Sequence, residues 1–292
     1  MNQNLPLRAA ELRLETLRVF EARGFGHVGG AMSVVETLAV LYNGVMRIRP
    51  EQPDWPERDR LVCSKGHAGP AVYAALAARG YFGKDLLKTL NRPGTTLPSH
   101  CDMNKTPGVD MTTGSLGQGV STAIGLAMGQ KLRAGGSPET MSASAGTRVP
   151  RTFLIIGDGE CNEGQVWEGL MLAAHQKLDN LIVFCDNNGQ QLDGYIKNVL
   201  DTGDLAEKFA AFGFFTQSVD GHDANAIAEA ISSAGKGDAT SRCPSMIVLK
   251  TKKGYGCTFA EDQEFNHHIA FTPEQMAEAL AAAQKMIGEV SA

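Results

Sequence analysis

The sequence lacks the features that mark several large classes of protein. It has no run of about 18 apolar residues, so a membrane-spanning helix is not predicted. Acidic residues outnumber basic ones by 32 to 27, and no basic block is interleaved with aromatics, which argues against nucleic acid as a partner. The amino end mixes Arg and Glu into a helical pattern without the apolar core of a signal peptide. We therefore expect a protein that binds neither nucleic acid nor membranes.

Cysteine is also sparse, and its spacing argues against two kinds of site. The six cysteines form no C-x-x-C pair, and the chain has no H-E-x-x-H motif, so neither a zinc centre nor a disulfide framework is predicted. The cysteines are Cys63, Cys101, Cys161, Cys185, Cys243 and Cys257. We interpret them as reduced thiols, which predicts a cytoplasmic protein.

The remaining composition is that of one packed domain. Of 292 residues, 43% are hydrophobic and 20% are charged, as in ordinary globular proteins. No linker divides the chain, so we predict a single domain over residues 1–292. Residues 135–150 are rich in Gly, Ser and Thr, which predicts a mobile surface loop, and residues 273–287 have the pattern of a C-terminal helix.

Hydrophobic patterns predict an α/β fold. Helical spacing is found over residues 8–23, 31–47 and 69–79. Three short apolar runs have the composition of buried parallel strands, namely Thr152–Ile156, Leu181–Cys185 and Met246–Leu249. The helix between the first two has an apolar face of four residues, namely Trp167, Leu170, Met171 and Ala174. Strand, helix and strand form a βαβ unit, which predicts a doubly wound, mostly parallel sheet with helices on both faces and ligands at its carboxyl edge.

Polar residues follow two of these strands at points that a βαβ unit brings together. G-D-G at 157–159 follows the first strand, and N-N at 187–188 ends the second. Because neighbouring parallel strands end side by side, Asp158 and Asn188 can approach one point. With the backbone carbonyl of Gln190 they offer the hard oxygen ligands that suit Mg²⁺ or Ca²⁺ bridging a diphosphate.

Two other interpretations compete with this one. G-D-G alone is an ordinary turn, since Gly and Asp are common turn residues. Residues 24–29 match G-x-G-x-x-G, the dinucleotide fingerprint, but they follow a helical pattern and no acidic residue closes the unit. The pairing of G-D-G with N-N favours the diphosphate interpretation over both.

The two motifs together resemble the thiamine diphosphate signature, and the surrounding segment GDGECNEGQVWEGLMLAAHQKLDNLIVFCDNNGQQLDG is similar to a transketolase. The resemblance extends from about residue 10 to residue 276. Its further motifs are Gly26-His27 with Gly29, Ser64-Lys65-Gly66-His67, His100, TPGVDMTTGSLGQG at 106–119 and DGHD at 220–223. Several independent motifs in the family's order make the resemblance specific.

The resemblance implies a role for each matching residue. The metal would be held by Asp158, Asn188 and the Gln190 carbonyl. The cofactor would contact His67, Gly114, Leu116, Gly157, Asp158, Gly159, Glu163, Asn188 and His267. The catalytic residues would be His27, His100, His267 and Glu163, with His27 and His100 hydrogen-bonding the sugar and Glu163 facing a partner subunit.

One position departs from the family's pattern. Transketolases usually have Gly after the last of these histidines, whereas here His268 follows His267. Either histidine could be the functional one, and the spacing to Glu274 favours His267.

The resemblance also implies that the chain is half of an enzyme. In transketolases the glutamate that activates the cofactor lies in a second, pyrimidine-binding domain, for which the residues after His268 leave no room. We therefore predict the N-terminal subunit of a two-chain transketolase, with a C-terminal subunit completing an α₂β₂ heterotetramer. The pair would transfer a two-carbon ketol unit from a ketose, expected to be a phosphate, to an aldose.

Two alternatives stay open. One is a non-catalytic subunit that binds thiamine diphosphate and completes a partner's fold. The other is a different enzyme of the same cofactor, of the deoxyxylulose phosphate synthase or dihydroxyacetone synthase type. The sugar substrate itself is not predicted, because the residues that grip its distal end lie mostly in the second domain of the family.

Overall fold

The structure, a computed structural model, describes residues 4–137, 146–234 and 242–291. Its helices are α1 (Leu5–Glu21), α2 (Val28–Met32), α3 (Val35–Val40), α4 (Gly69–Ala78), α5 (Gln118–Arg133), α6 (Gly164–His175), α7 (Ile196–Val199), α8 (Leu205–Ala211), α9 (Ala224–Ser233) and α10 (Pro273–Ser291). Its strands are β1 (Phe25–Gly26), β2 (Arg60–Cys63), β3 (Thr152–Gly157), β4 (Leu181–Asn187), β5 (Gln190–Gln191), β6 (Gly194–Tyr195), β7 (Phe215–Asp220), β8 (Ser245–Lys250) and β9 (Ile269–Ala270). Short 3₁₀ turns cover Gly66–Ala68, Lys84–Thr89 and Gly159–Asn162, and a π-helical turn covers Leu41–Val45.

The centre of the fold is a parallel sheet of five strands in the order β2-β3-β4-β8-β7. Side chains alternate across it, so Phe153 and Ile155 pack into the core formed with α1, α3 and α4, while Leu154 and Ile156 pack into the core formed with α5 and α6. Because helices cover both faces, the inner strands are almost continuously apolar. The predicted doubly wound α/β fold is confirmed.

The three predicted strands are all present, each one or two residues longer than expected. The sequence did not reveal β7, because this edge strand is half-buried and its sequence FTQSVD is largely polar. The helix expected over 31–47 is wrong as one element, since α2, α3 and the π-helical turn divide it. The C-terminal helix is present and continues to Ser291.

The predicted apolar face of α6 is partly wrong. Met171 is 55% exposed, whereas Val166, Gly169, Leu170 and Ala173 are the buried residues. The reason is the close approach of α5: a Cβ on Gly169 would lie 3.0 Å from the side chains of Ile124 and Val120. This contact turns Gly169 toward the core, and Met171 then faces outward.

Three expectations remain, on the loop over residues 135–150, on membrane-spanning helices and on the number of domains. Of the loop predicted over residues 135–150, residues 138–145 lie outside the described part, and the described flanks contain no helix or strand. No helix in the described ranges is long and apolar enough to cross a membrane. The single domain over 1–292 stays a prediction.

Candidate active site

Four strands of the sheet end at one cleft. The residues that follow β2, β3, β4 and β8 supply Lys65, Asp158, Asn188 and Lys253 to its walls. Ten of the residues predicted for the site line this cleft, namely His67, His100, Gly114, Leu116, Gly157, Asp158, Gly159, Asn188, Gln190 and His267. The parallel sheet therefore brings together side chains that are far apart in the sequence.

The three predicted metal ligands lie on one short stretch of the cleft wall. The backbone N–H of Gly189 donates to Asp158 Oδ2 at 2.6 Å, and the N–H of Gln190 donates to Asn188 Oδ1 at 3.1 Å. Both side-chain oxygens thus meet the 189–190 backbone, the segment that also carries the Gln190 carbonyl. No cluster of three His, Cys, Asp or Glu side chains arranged for a metal occurs in the described residues, so a cation here would depend on this carboxylate, amide and carbonyl set.

Asp158 is buried at the carboxyl end of β3. Its pKa is raised to about 7, first by burial and then by the nearby Asp186 carboxylate. A divalent cation would compensate both effects, because it neutralises the carboxylate inside the protein. The donor set at this point therefore fits a hard divalent ion.

Beneath Asp158 lies an ion pair that the sequence did not reveal. Lys65 Nζ donates to Asp186 Oδ2, and both side chains are buried. Asp186 also accepts from Ser33 Oγ at 2.6 Å, from Asn188 Nδ2 at 3.0 Å and from Thr251 Oγ1. Burial alone would raise the pKa of Asp186, but the charge of Lys65 and these donors hold it below its usual value.

A second buried lysine faces the cleft. Lys253 Nζ donates to the carbonyl of Gln191 at 3.0 Å and has no ion pair among the described residues. Its pKa is lowered to about 8, by burial and then by the charge of Lys65. Near pH 7 the cleft therefore holds a positive charge without a dedicated counter-ion, which suits an anionic group such as a diphosphate.

The predicted histidines form a cluster. The ring centroid of His27 lies 5.7 Å from that of His67 and 5.3 Å from those of His100 and His267. His67 and His267 are 4.5 Å apart. His27 itself packs behind the cleft wall formed by the other three, in the turn that opens α2.

These histidines are uncharged near neutral pH. The pKa of His27 is lowered to about 4, first by burial and then by His268 and His100. Burial also lowers the pKa of His267 to about 3, with Lys253 as the next cause, and takes the pKa of His67 well below its usual value. Each neutral imidazole has one N–H donor and one acceptor, as a ligand rich in hydroxyl and carbonyl groups requires.

The two candidates for the last histidine occupy different places. His267 lines the cleft against His67, whereas His268 is exposed and packs on His27 at 4.7 Å and on Phe25 at 5.6 Å. The strand pair β1–β9 fixes both, because Gly26 is paired with Ile269. The structure favours His267 as the residue that meets a ligand.

Glu163 lies apart from the other predicted site residues. It is exposed at the start of α6 and does not line the cleft. Glu160 is the buried carboxylate there: it accepts from Ser64 Oγ, from Gly117 N at 2.8 Å and from Gly157 N at 3.2 Å. These bonds join the segments that carry His67, Leu116 and Asp158, so Glu160 fixes three parts of the wall together.

Two glycines leave room where the chain approaches itself closely. A Cβ on Gly30 would lie 2.7 Å from His67 Nε2, and a Cβ on Gly159 would lie 2.6 Å from the Gln191 Cβ. Both residues line the cleft. A larger residue at either point would displace His67 or Gln191, so only glycine fits these two positions of the cleft wall.

Residues 7–286 match the family described as transketolase, thiamine diphosphate binding domain. The chain is 47% identical over 283 residues to the 6-deoxy-6-sulfo-D-fructose transketolase subunit SqwG of Clostridium sp. (strain MSTE9), covering 97% of each chain. It is 30% identical to one of the subunits of the apulose-4-phosphate transketolase of Phocaeicola vulgatus, covering 98% of this chain and 95% of that one.

Solved structures agree with these sequence matches. Transketolase from Leishmania mexicana superposes with a TM-score of 0.83 at 30% identity, covering all of this chain and 45% of that one. The transketolase of Campylobacter jejuni gives a TM-score of 0.84 at 27% identity and 46% of its length. The chain thus spans about half the length of the solved transketolases it matches. Its sequence and fold together place it in the transketolase family, where it corresponds to the thiamine diphosphate binding domain.

Proposed function

We propose that this chain is the N-terminal subunit of a two-chain transketolase that transfers a two-carbon ketol unit from a ketose to an aldose. The observation that carries the proposal is the convergence of a metal-type oxygen set, a lysine without an ion pair among the described residues, and three histidines backed by His27 on one cleft at the carboxyl edge of the sheet. The relatives named as transketolase subunits have nearly the same length as this chain. A cytoplasmic location agrees with the reduced cysteines.

The residues of the cleft fit thiamine diphosphate together with Mg²⁺. The orphaned buried Oε1 of Gln190 and the oxygens of Asp158 and Asn188, which meet at the 189–190 backbone, support this assignment. Asp158, Asn188 and the Gln190 carbonyl would hold the cation, and Lys253 and His67 would donate to the diphosphate. When bound, the cofactor supplies an electron sink for cleaving the bond next to the ketose carbonyl.

The histidines are proposed to orient the sugar. Since His27, His100 and His267 are neutral, they can donate to the carbonyl oxygen and hydroxyls without adding charge. Their N–H groups would lie where negative charge develops on the substrate oxygen, which is the geometry that stabilises a transition state. Packing of the rings against one another keeps them from rotating away.

A partner chain is proposed to supply the carboxylate that activates the cofactor. Within the described part, the only acidic side chains that line the cleft are Asp158 and Glu160. Asp158 is assigned to the metal, and both oxygens of Glu160 are already bonded to Ser64, Gly117 and Gly157. We propose an α₂β₂ assembly in which the partner covers the cleft and exposed Glu163 faces it.

The alternatives predict different behaviour. A non-catalytic subunit would not require the histidine cluster, so His27→Ala or His100→Ala would leave the activity of the assembled pair unchanged. A deoxyxylulose phosphate synthase would consume pyruvate rather than a ketose, and a dihydroxyacetone synthase would require formaldehyde as its acceptor. Product analysis with each donor separates these reactions.

The decisive test combines cofactor binding with turnover. We expect the assembled pair to bind thiamine diphosphate only with Mg²⁺ or Ca²⁺, and Asp158→Asn to abolish this binding in calorimetry. We expect the pair to transfer ketol units and the isolated chain not to do so. Metal-independent binding, or full activity of the isolated chain, would refute the proposal. His175→Ala, on α6 away from the cleft, is the control.

A further inference from the structure

The motif DGHD at 220–223 has no role in the proposed function. It begins at the last residue of β7 and lies against the end of the neighbouring strand β8. Gly221 N donates to the carbonyl of Lys250 at 2.9 Å, and His222 N donates to Asp220 Oδ1 at 2.8 Å. These two bonds fix the backbone of His222 beside the point where the chain leaves β8.

The imidazole of His222 joins a buried ion pair to the backbone of Lys252. Nε2 accepts from the N–H of Lys252 at 2.8 Å, so in the neutral ring the proton lies on Nδ1, which donates to Glu36 Oε2 at 3.3 Å. Arg13 Nη2 donates to the other oxygen of Glu36, and both of these side chains are buried. The ring also stacks on Tyr255, with 3.7 Å between the centroids. These contacts favour one orientation and one tautomer of His222.

Glu36 keeps its charge in this arrangement. Burial alone would raise its pKa, but the charge of Arg13 and the hydrogen bond from His222 hold the pKa below its usual value. Arg13 is held in turn by the carbonyls of Met32, at 3.2 Å, and of Tyr255. The carboxylate that orients the imidazole therefore has a fixed place and a fixed charge.

Lys253, the buried lysine of the cleft, follows Lys252 directly. Asn266 Nδ2 donates to the carbonyl of Lys253 at 3.2 Å and fixes the peptide after it, while the bond from Lys252 N to His222 fixes the peptide before it. A lysine side chain is long and flexible, so the position of its ammonium group depends on where the backbone holds its base. With the backbone held on both sides, Lys253 Nζ reaches the Gln191 carbonyl in the cleft wall.

We propose that His222, oriented by Glu36, is a positioning residue that holds Lys253 so that its ammonium group faces the diphosphate of the cofactor. This inference rests on the proposed function, because it takes Lys253 as a donor to the diphosphate. His222 does not itself line the cleft, so it acts through the chain and not by contact with a ligand. Loss of its bond would let the 252–253 peptide move and would lengthen a charge-assisted hydrogen bond.

The test is a double-variant cycle on the binding of thiamine diphosphate with Mg²⁺ to the assembled pair, measured by calorimetry. We expect His222→Phe, which keeps a ring on Tyr255 but lacks the acceptor, to weaken binding about fivefold, and Lys253→Met to weaken it about thirtyfold. In the Lys253→Met background, His222→Phe should weaken binding by less than about twofold more, because the residue through which it acts is gone. A purely structural role would give the same loss in both backgrounds and would overturn the inference.

Two further variants separate the acceptor from the ring. His222→Gln, whose amide reaches as far from the backbone as Nε2, should restore most of the affinity. An affinity as low as that of His222→Phe would overturn the inference. His175→Phe is the matched control, since His175 lies on α6 and does not line the cleft, and its affinity should equal that of the wild type.

Hydrogen exchange on the wild-type pair decides the question if His222→Phe does not fold. The N–H of Lys252 should exchange slowly, because His222 Nε2 accepts it. Exchange at the rate of an exposed amide would mean that the bond does not hold the chain, and the inference would be wrong.

Turnover separates this inference from the proposed function. If the pair transfers no ketol units yet the losses at His222 and Lys253 are coupled, the positioning role stands and ketol transfer does not. If the wild-type pair transfers ketol units normally and the two losses are independent, His222 does not position Lys253, and the proposed function stands.

Discussion

Replacing Lys65 with Met should destabilise the fold as well as the site. Lys65 is 2% exposed and Asp186 is fully buried, so the substitution leaves a carboxylate inside the protein without its counter-charge. Removing one partner of a buried ion pair costs about 3–5 kcal/mol. Asp186 would keep three donors, on Ser33, Thr251 and Asn188, so we expect about 3 kcal/mol, near the lower end of this range.

Urea unfolding followed by circular dichroism measures this loss as a change in the free energy of unfolding. The control is Lys88→Met, because the Lys88–Asp85 pair is exposed and such pairs contribute at most about 1 kcal/mol. Adding Asp186→Asn to Lys65→Met removes the stranded charge. The double variant should therefore lose less stability than the two single variants added together, by about 1 kcal/mol or more.

The reasoning fails if Lys65→Met destabilises the chain no more than Lys88→Met does. It also fails if the losses at Lys65 and Asp186 add without coupling, because the two side chains would then not act as a pair. In either case Asp186 would not hold the Lys65 ammonium in place near Asp158, and another group would have to compensate the charge of Lys65.

Three further predictions concern other parts of the site. The pKa of His27 is about 4 in the folded state and 6.5 in the unfolded state, so the free energy of unfolding should fall as the pH drops from about 6.5 to 4. His27→Gln should reduce this fall, which urea titrations at several pH values measure. An unchanged fall would contradict the assignment. Gly30→Ala places a Cβ 2.7 Å from His67 Nε2 and should displace that ring. We expect the affinity for thiamine diphosphate, measured by calorimetry, to fall at least tenfold. Wild-type affinity would mean that His67 can move away freely. His222→Phe keeps a ring on Tyr255 but removes the acceptor for the backbone N–H of Lys252, so cofactor affinity should fall. His222→Asn provides an acceptor again and should restore part of the affinity. Equal affinity in both variants would exclude a positioning role for His222.

The parts of the site that follow from strand ends could be predicted from the sequence. Asp158 comes two residues and Asn188 three residues after an apolar run, and parallel strands of a βαβ unit must end at one edge. Nothing beyond the order of the elements was needed to bring these two side chains together. The same rule does not apply to side chains inside a loop, where the backbone has no repeating direction.

Lys253 illustrates what the sequence could not reveal. It follows Lys252 directly, yet Lys252 is exposed and pairs with Glu261 and Asp262, while Lys253 is buried in the cleft. Two adjacent lysines look alike in a linear pattern, and only the path of the chain after β8 separates them. Its bond to the Gln191 carbonyl joins this path to the segment after β4.

The two glutamates after G-D-G illustrate the same limit. The resemblance implies that Glu163 faces a partner subunit, which stays a prediction, and the carboxylate that lines the cleft is Glu160. Glu160 is buried and Glu163, three residues later, is exposed. The 3₁₀ turn at Gly159–Asn162 causes this difference, because it points Glu160 inward toward Ser64 and Gly117. The role of Glu160 could not be predicted, because the spacing alone does not show which of the two carboxylates is buried and hydrogen-bonded.

The charge pattern of the cleft explains why the histidines can remain neutral beside two lysines. Lys65 and Lys253 raise the local potential and thereby disfavour imidazolium, which lowers the pKa of His67 and of His267 beyond the effect of burial. The charge of Lys65 is directed to Asp186, and that of Lys253 remains facing the cleft. An anionic group can therefore be drawn to the floor of the cleft by a fixed positive charge, while the rings above it keep the uncharged donors and acceptors that a sugar requires.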